Sequence, residues 1–160
     1  MKRLILMRHG HALPALGERA DFERPLSGRG ERDAQLVAER LLAAGWIPER
    51  IVASAAPRAL ATANILARAM SEPALVVEDE LYLAGGDLLR RAILRHGGDS
   101  QTIALVGHNP GMTLLIRDLA EIYLDDLPTA GVAGIEFEGL SWRALGGGRL
   151  IYFDAPLLQR

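Results

Sequence analysis

Four short apolar runs, Leu4-Ile5-Leu6-Met7, Ile51-Val52-Ala53, Leu75-Val76-Val77 and Thr102 to Val106, alternate along the chain with segments of helical periodicity. That alternation constrains the fold most, because strands separated by crossover helices pair in parallel. The first run has no polar position, so it reads as a strand buried on both faces. Ser27 is an N-cap signal for a helix to about Gly45, with Ala34, Val37, Ala38, Leu41 and Leu42 on one face. Pro57 opens a second helix with Ala61, Ile65, Leu66 and Ala69 as its stripe. Asp87 to Arg95 forms a third, stopped by Gly97-Gly98, and Met112, Leu115, Ile116 and Leu119 mark a fourth. Beyond Pro128, Val132 to Phe137 and Leu150 to Phe153 read as closing strands, at least one antiparallel, while Leu13 to Arg24 reads as a loop. The expectation is one domain spanning 1–160: a three-layer α/β/α sandwich with a mainly parallel central sheet.

Composition narrows the function. At 160 residues and 49% hydrophobic, the chain can bury one ordinary core and has no room for a second domain. Eighteen basic against 20 acidic residues give a net charge of -2, so no broad basic surface exists for nucleic acid or anionic lipid. Only 5% aromatic residues argue against a stacking platform for single strands. No apolar run approaches the roughly 20 residues of a membrane span. Arg8-His9 ends the first apolar run too early for a secretory h-region, so it reads as a strand. The absence of cysteine excludes thiolate chemistry and disulfides and favours a cytoplasmic location.

Two of the four histidines fall at equivalent places, each just after a strand and before a glycine turn. One is in Arg8-His9-Gly10-His11, the other in Gly107-His108-Asn109-Pro110-Gly111. Arg58 follows the second strand in the same way. Ligands bind at the carboxyl ends of parallel strands, so these groups can converge there. Arginine forks match phosphate oxygens bidentately, and a protonated imidazole adds a third donor. Arg8, Arg58 and protonated His108 are therefore expected where charge develops on a transferring phosphoryl group, with an imidazole nitrogen as the nucleophile.

Arg8-His9-Gly10 after the first strand, Ser54, Arg58 and Thr62 after the second, and Gly107-His108-Asn109-Pro110 after the fourth together resemble the histidine phosphatase superfamily. The resemblance covers essentially the whole chain and implies a phosphoglycerate mutase-like fold. The segment Asp21-Phe22-Glu23-Arg24-Pro25-Leu26-Ser27-Gly28-Arg29-Gly30, Thr129-Ala130-Gly131-Val132 and Trp142 are similar to the small SixA-type phosphohistidine phosphatases. The resemblance implies His9 as the nucleophile, with Arg8, Arg58 and His108 completing the phosphate pocket and Arg24 as a further phosphate contact. It also implies an acid shortly after the third strand, where Glu80 stands. A P–N bond leaves easily once its nitrogen is protonated, so solvent remains the alternative to Glu80.

The expected reaction is hydrolysis of phosphohistidine on a protein substrate through a covalent intermediate on His9, without metal or other cofactor. A phosphorylated small metabolite is the alternative substrate, and a non-catalytic phosphohistidine-binding module the alternative function. A metal pair of His9 and His11 lacks further ligands, so His11 is expected at the entrance instead. His96 is expected to sit at a helix end facing the dipole, Arg90, Arg91 and Arg95 on an exposed face, and Trp46 and Trp142 in the core.

Overall fold

In the computed structural model, residues 1–17 and 20–158 are described. The strands are β1 (Lys2–Arg8), β2 (Arg50–Ser54), β3 (Ala74–Glu78), β4 (Thr102–Gly107), β5 (Val132–Phe137) and β6 (Arg149–Asp154). The helices are α1 (Gly28–Ala43), α2 (Pro57–Ala69), α3 (Gly86–Gly97) and α4 (Gly111–Ala120). One sheet has the order β3-β2-β4-β1-β5-β6, with β3, β2, β4 and β1 mutually parallel. β5 runs antiparallel to β1, and β6 antiparallel to β5. Both closing pairings are thus antiparallel, where the sequence required only one.

The two-residue period of β1 feeds two cores. Leu4 and Leu6 pack with Leu89, Ile93, Met112 and Leu115 from α3 and α4. Ile5 and Met7 pack with Val37, Leu41, Ala63 and Leu66 from α1 and α2. Helices therefore cover both faces of the sheet, which is why β1 can be apolar at every central position. Trp46 and Trp142 are buried, one in each core, as expected. Each fully buried Leu, Ile or Met side chain in these cores contributes about 1.5–3 kcal/mol relative to exposure.

Local chemistry sets the helix ends. Gly30 N–H donates to the Ser27 hydroxyl at 3.0 Å and caps α1. At the other end Gly45 adopts φ +83°, and Trp46 N–H reaches back to the Leu41 carbonyl in a Schellman closure. The segment from Leu13 to Arg24 is less irregular than expected: Ala12 bridges Leu26, and Asp21–Glu23 form a 3₁₀ turn closed by Arg24 N–H on the Asp21 carbonyl. Residues 18 and 19 of that loop lie outside the described residues. His96 stands in the last turn of α3 and Arg95 is exposed, as expected. Both also engage Glu78, the last residue of β3, at 2.6 and 3.0 Å. Among the described residues no helix is long and apolar enough to cross a membrane.

Candidate active site

Register brings the two histidines together. β1 and β4 are neighbours at the centre of the sheet, and Arg8 pairs with Gly107. The residues that follow, His9 and His108, therefore leave the sheet side by side, with ring centroids 5.2 Å apart. They line a cavity of about 240 Å³ together with Arg8, Arg24, Arg58 and Asp21. Larger grooves lie along α1, between it and α2 and beside Pro156, away from the strand ends.

Close backbone packing holds the first motif. A Cβ at Gly10 would stand 2.8 Å from the Gly30 carbonyl oxygen and 2.9 Å from Leu26, so no larger residue fits where β1 meets α1. Gly10 N–H donates to Thr62 Oγ1 at 3.0 Å, and Thr62 Oγ1 donates to the Arg58 carbonyl at 2.8 Å. One buried hydroxyl thus straps the turn after β1 to the first turns of α2. His11 is held by the cap of α1. Ser27 Oγ donates to the His11 carbonyl at 2.9 Å, so His11 Nδ1 is the donor in their 2.7 Å contact. His11 lines the cavity as expected. Among the described residues no group of three or more metal-ligating side chains is gathered.

Hydrogen bonds assign the two rings different roles. His9 Nδ1 lies 2.7 Å from the Gly10 carbonyl oxygen, which can only accept. The proton is therefore on Nδ1, and Nε2 keeps its lone pair. Desolvation, reinforced by Arg58, Arg8 and Arg24, lowers the His9 pKa to about 4, although the Gly10 carbonyl works against the shift. His108 Nε2 lies 2.8 Å from Ser54 Oγ. That hydroxyl already accepts Ala56 N–H at 3.2 Å, and with no other acceptor among the described residues its proton is directed to His108. Nδ1 then carries the ring's remaining N–H, and it has no partner among the described residues. The expectation of an imidazolium at His108 is corrected. Burial, then His9 and Arg58, lower its pKa to about 3, so the ring is a neutral donor near pH 7.

The arginines are anchored by oxygens from distant segments. Arg58, only 2% exposed, donates to the Asp21 carbonyl at 2.8 Å and to Asp21 Oδ2 at 3.0 Å. Arg24 donates to Asp21 Oδ1 at 3.1 Å and to the Leu13 carbonyl at 2.9 Å. Arg8 donates to the Leu127 carbonyl at 2.9 Å. The Nε atoms of Arg8 and Arg58 are buried without a partner among the described residues. A buried cationic donor left unsatisfied is costly unless an anion completes it. Arg58 also stands in the first turn of α2, where a cation opposes the helix dipole, a second reason for an anion there.

Five of the six residues expected at the site, Arg8, His9, Arg24, Arg58 and His108, line this cavity. Glu80 does not. It is exposed in the 3₁₀ turn Asp79–Leu81, and Leu83 faces the cavity from that segment instead. Leu81, the next residue, is anchored in the core at 3% exposure, and Glu80 is left exposed beside it. Asp21 and Tyr82 were not foreseen. Tyr82 donates to Asp21 Oδ2 at 2.6 Å and stands edge-on to His108, with centroids 5.5 Å apart. Its bond, then that of Arg24, helps hold the Asp21 carboxyl down to about 2. No local pattern announces either residue, since Asp21 and Tyr82 are 61 positions apart. Ser54 did carry a signal: like the histidines, it ends a parallel strand.

The comparisons with known proteins bear on the family and the fold. The model of the histidine phosphatase superfamily (branch 1) matches residues 4–82. An uncharacterised Mycobacterium tuberculosis protein, Rv1276c, is 31% identical over 149 residues, covering 86% of this chain and 92% of its own. Among solved structures, the candidate phosphohistidine phosphatase SixA from Agrobacterium tumefaciens superposes with a TM-score of 0.81 at 28% identity, covering 97% of this chain and 99% of its own. A protein histidine phosphatase SixA complexed with tungstate shares the fold at TM-score 0.78 and 23% identity, over 96% and 97% of the two chains. The chain belongs to the histidine phosphatase superfamily.

Proposed function

We propose that this protein is a metal-independent phosphatase that hydrolyses phosphohistidine on a protein substrate. Arg8, Arg24 and Arg58 hold the phosphoryl oxygens, and His108 Nδ1–H donates to one of them as charge develops. His9 Nε2 attacks in line, its ring oriented by the Gly10 carbonyl, and becomes phosphorylated. Water then cleaves the P–N bond to His9, which leaves as a neutral imidazole with its Nδ1 proton kept.

One observation carries the preference for a P–N bond. Among the described residues, no carboxyl group able to give up a proton near pH 7 lines the cavity. Asp21 is ionised down to about pH 2, and Glu80 lies outside. An alkoxide leaving group needs such a donor, whereas an imidazole already protonated on its far nitrogen needs none. The family relationship supports phosphatase chemistry, and the likeness to SixA proteins supports phosphohistidine as the substrate.

The test compares wild type with His9→Ala on a phosphohistidine-bearing protein and on p-nitrophenyl phosphate, with chelator present. The expected result is turnover of the first substrate well above the second, with both falling by about a thousandfold or more in the variant. Better turnover of the ester would establish a small-molecule phosphomonoesterase instead. Stoichiometric release independent of His9 would leave a phosphohistidine-binding module.

A further inference from the structure

Asp21 is the only carboxylate among the described residues that line the cavity, and it faces a site built to hold an anion. A negative charge there weakens binding of any substrate whose leaving group carries no positive charge while still bonded to phosphorus. Its oxygens are not equally engaged. Oδ2 accepts from both Arg58 and Tyr82, at 3.0 and 2.6 Å. Oδ1 accepts from Arg24 alone among the described residues, and the side chain is 48% exposed. A carboxylate oxygen can take two donors, so Oδ1 has room for one more. Beside it stands an apolar wall. Leu83 lines the cavity while 52% exposed, and Phe22 packs edge-on against Tyr82 with centroids 4.9 Å apart. A carboxylate next to an exposed apolar wall suits a flat ring that carries an N–H and a positive charge.

Resting on the phosphohistidine reading, we propose that Asp21 determines substrate specificity by accepting the N–H on the far ring nitrogen of the substrate's phosphorylated imidazole. The ring lies against Leu83 and Tyr82 while its phosphoryl group enters the arginine pocket. The reaction then balances without a general acid. His9 Nε2 supplies its lone pair to phosphorus, and a new P–N bond forms. The old P–N bond breaks, and its electron pair returns to the substrate nitrogen. The substrate ring leaves as neutral imidazole with the N–H that Asp21 held throughout. Positive charge passes from one imidazole ring to the other, and a carbonyl at Gly10 receives the N–H of the second as the Asp21 carboxylate did that of the first.

The experiment uses the whole protein with two small probes, N-phosphoimidazole and p-nitrophenyl phosphate, in wild type, Asp21→Asn and Asp21→Glu. A hydrogen bond between charged groups is worth about a tenfold to a hundredfold in rate. The ratio of kcat/KM for phosphoimidazole over the ester should therefore fall about tenfold or more in Asp21→Asn and recover in part in Asp21→Glu. The alkaline limb of kcat for phosphoimidazole, which reports the bound ring losing its proton, should move about one pH unit lower in Asp21→Asn. Inorganic phosphate should inhibit Asp21→Asn at least as strongly as wild type, since the arginines remain and a repelling charge is gone. An equal fall on both probes, with the ratio and the kcat limb unmoved, would show that Asp21 merely braces Arg58 and overturns this assignment alone. Wild-type turnover of the ester without turnover of phosphoimidazole would overturn the phosphohistidine reading and this assignment with it.

Discussion

Ser54 Oγ lies 2.8 Å from His108 Nε2 while accepting Ala56 N–H, so a buried hydroxyl at the end of β2 selects the tautomer of a histidine at the end of β4. Ser54 is fully buried and no solvent competes for these bonds. Removing the hydroxyl leaves both Ala56 N–H and His108 Nε2 without this partner and frees the ring to place its proton on either nitrogen.

Ser54→Ala should accordingly lose stability and rate together. Two abandoned buried groups cost about 1–3 kcal/mol each when water does not replace the hydroxyl. The urea midpoint should fall, and kcat should drop about tenfold or more through loss of the Nδ1–H donor. Ser54→Thr keeps the hydroxyl and should recover more of kcat than Ser54→Ala. Equal kcat for wild type and Ser54→Ala would show that the tautomer does not matter.

The strap between Gly10 and α2 predicts a second loss. Thr62→Val preserves shape but removes the acceptor of Gly10 N–H, at a cost of about 1–3 kcal/mol. Gly10→Ala acts differently, forcing the Gly30 carbonyl and Leu26 away and straining the turn by about 1–3 kcal/mol. Both variants should have lower thermal midpoints and misplace His9, with kcat affected more than KM. A thermal midpoint unchanged in Gly10→Ala would mean that α1 yields freely at this contact.

Acid should act through the two histidines. Both have pKa values lowered from 6.5 by burial, His9 to about 4 and His108 to about 3. The unfolded chain takes up protons on them as pH falls through about 6.5, while the folded chain does so only near 4 and below. Their contribution to stability is therefore complete above pH 6.5 and is lost progressively on acidification toward pH 3. Imidazole carbon shifts of His9 and His108, followed by NMR, should stay neutral at pH 5. Titration of either near pH 6.5 would contradict the buried, neutral pair.

Glu80 provides a contrast. It is exposed and outside the cavity, so Glu80→Gln should leave turnover of p-nitrophenyl phosphate and of phosphohistidine within about threefold of wild type, as surface changes generally do. A hundredfold loss confined to the ester would restore Glu80 as the proton donor.

The alternation of apolar runs and helical stripes was enough to place the six strands and four helices of the described residues, because period and end signals are local properties of the chain. Ser27 and Gly45 mark the ends of α1 by their own chemistry, and Arg8-His9-Gly10 and Gly107-His108 announce themselves by standing where parallel strands end. Partners across the fold are different. Which hydroxyl faces His108 and which carboxylate meets Arg58 depend on strand register and loop packing between residues up to 54 positions apart. Burial likewise decided that His108 is neutral, since desolvation is a property of the assembled site. Glu80 is the clearest case: its distance from β3 in sequence suited an acid, but Leu81 is anchored in the core and the turn presents Leu83 to the cavity. The chain's own periodicity thus determined which elements form and where phosphate chemistry concentrates. Only the tertiary structure decided protonation, orientation and the choice among neighbouring side chains, because those depend on groups that meet only in the folded protein.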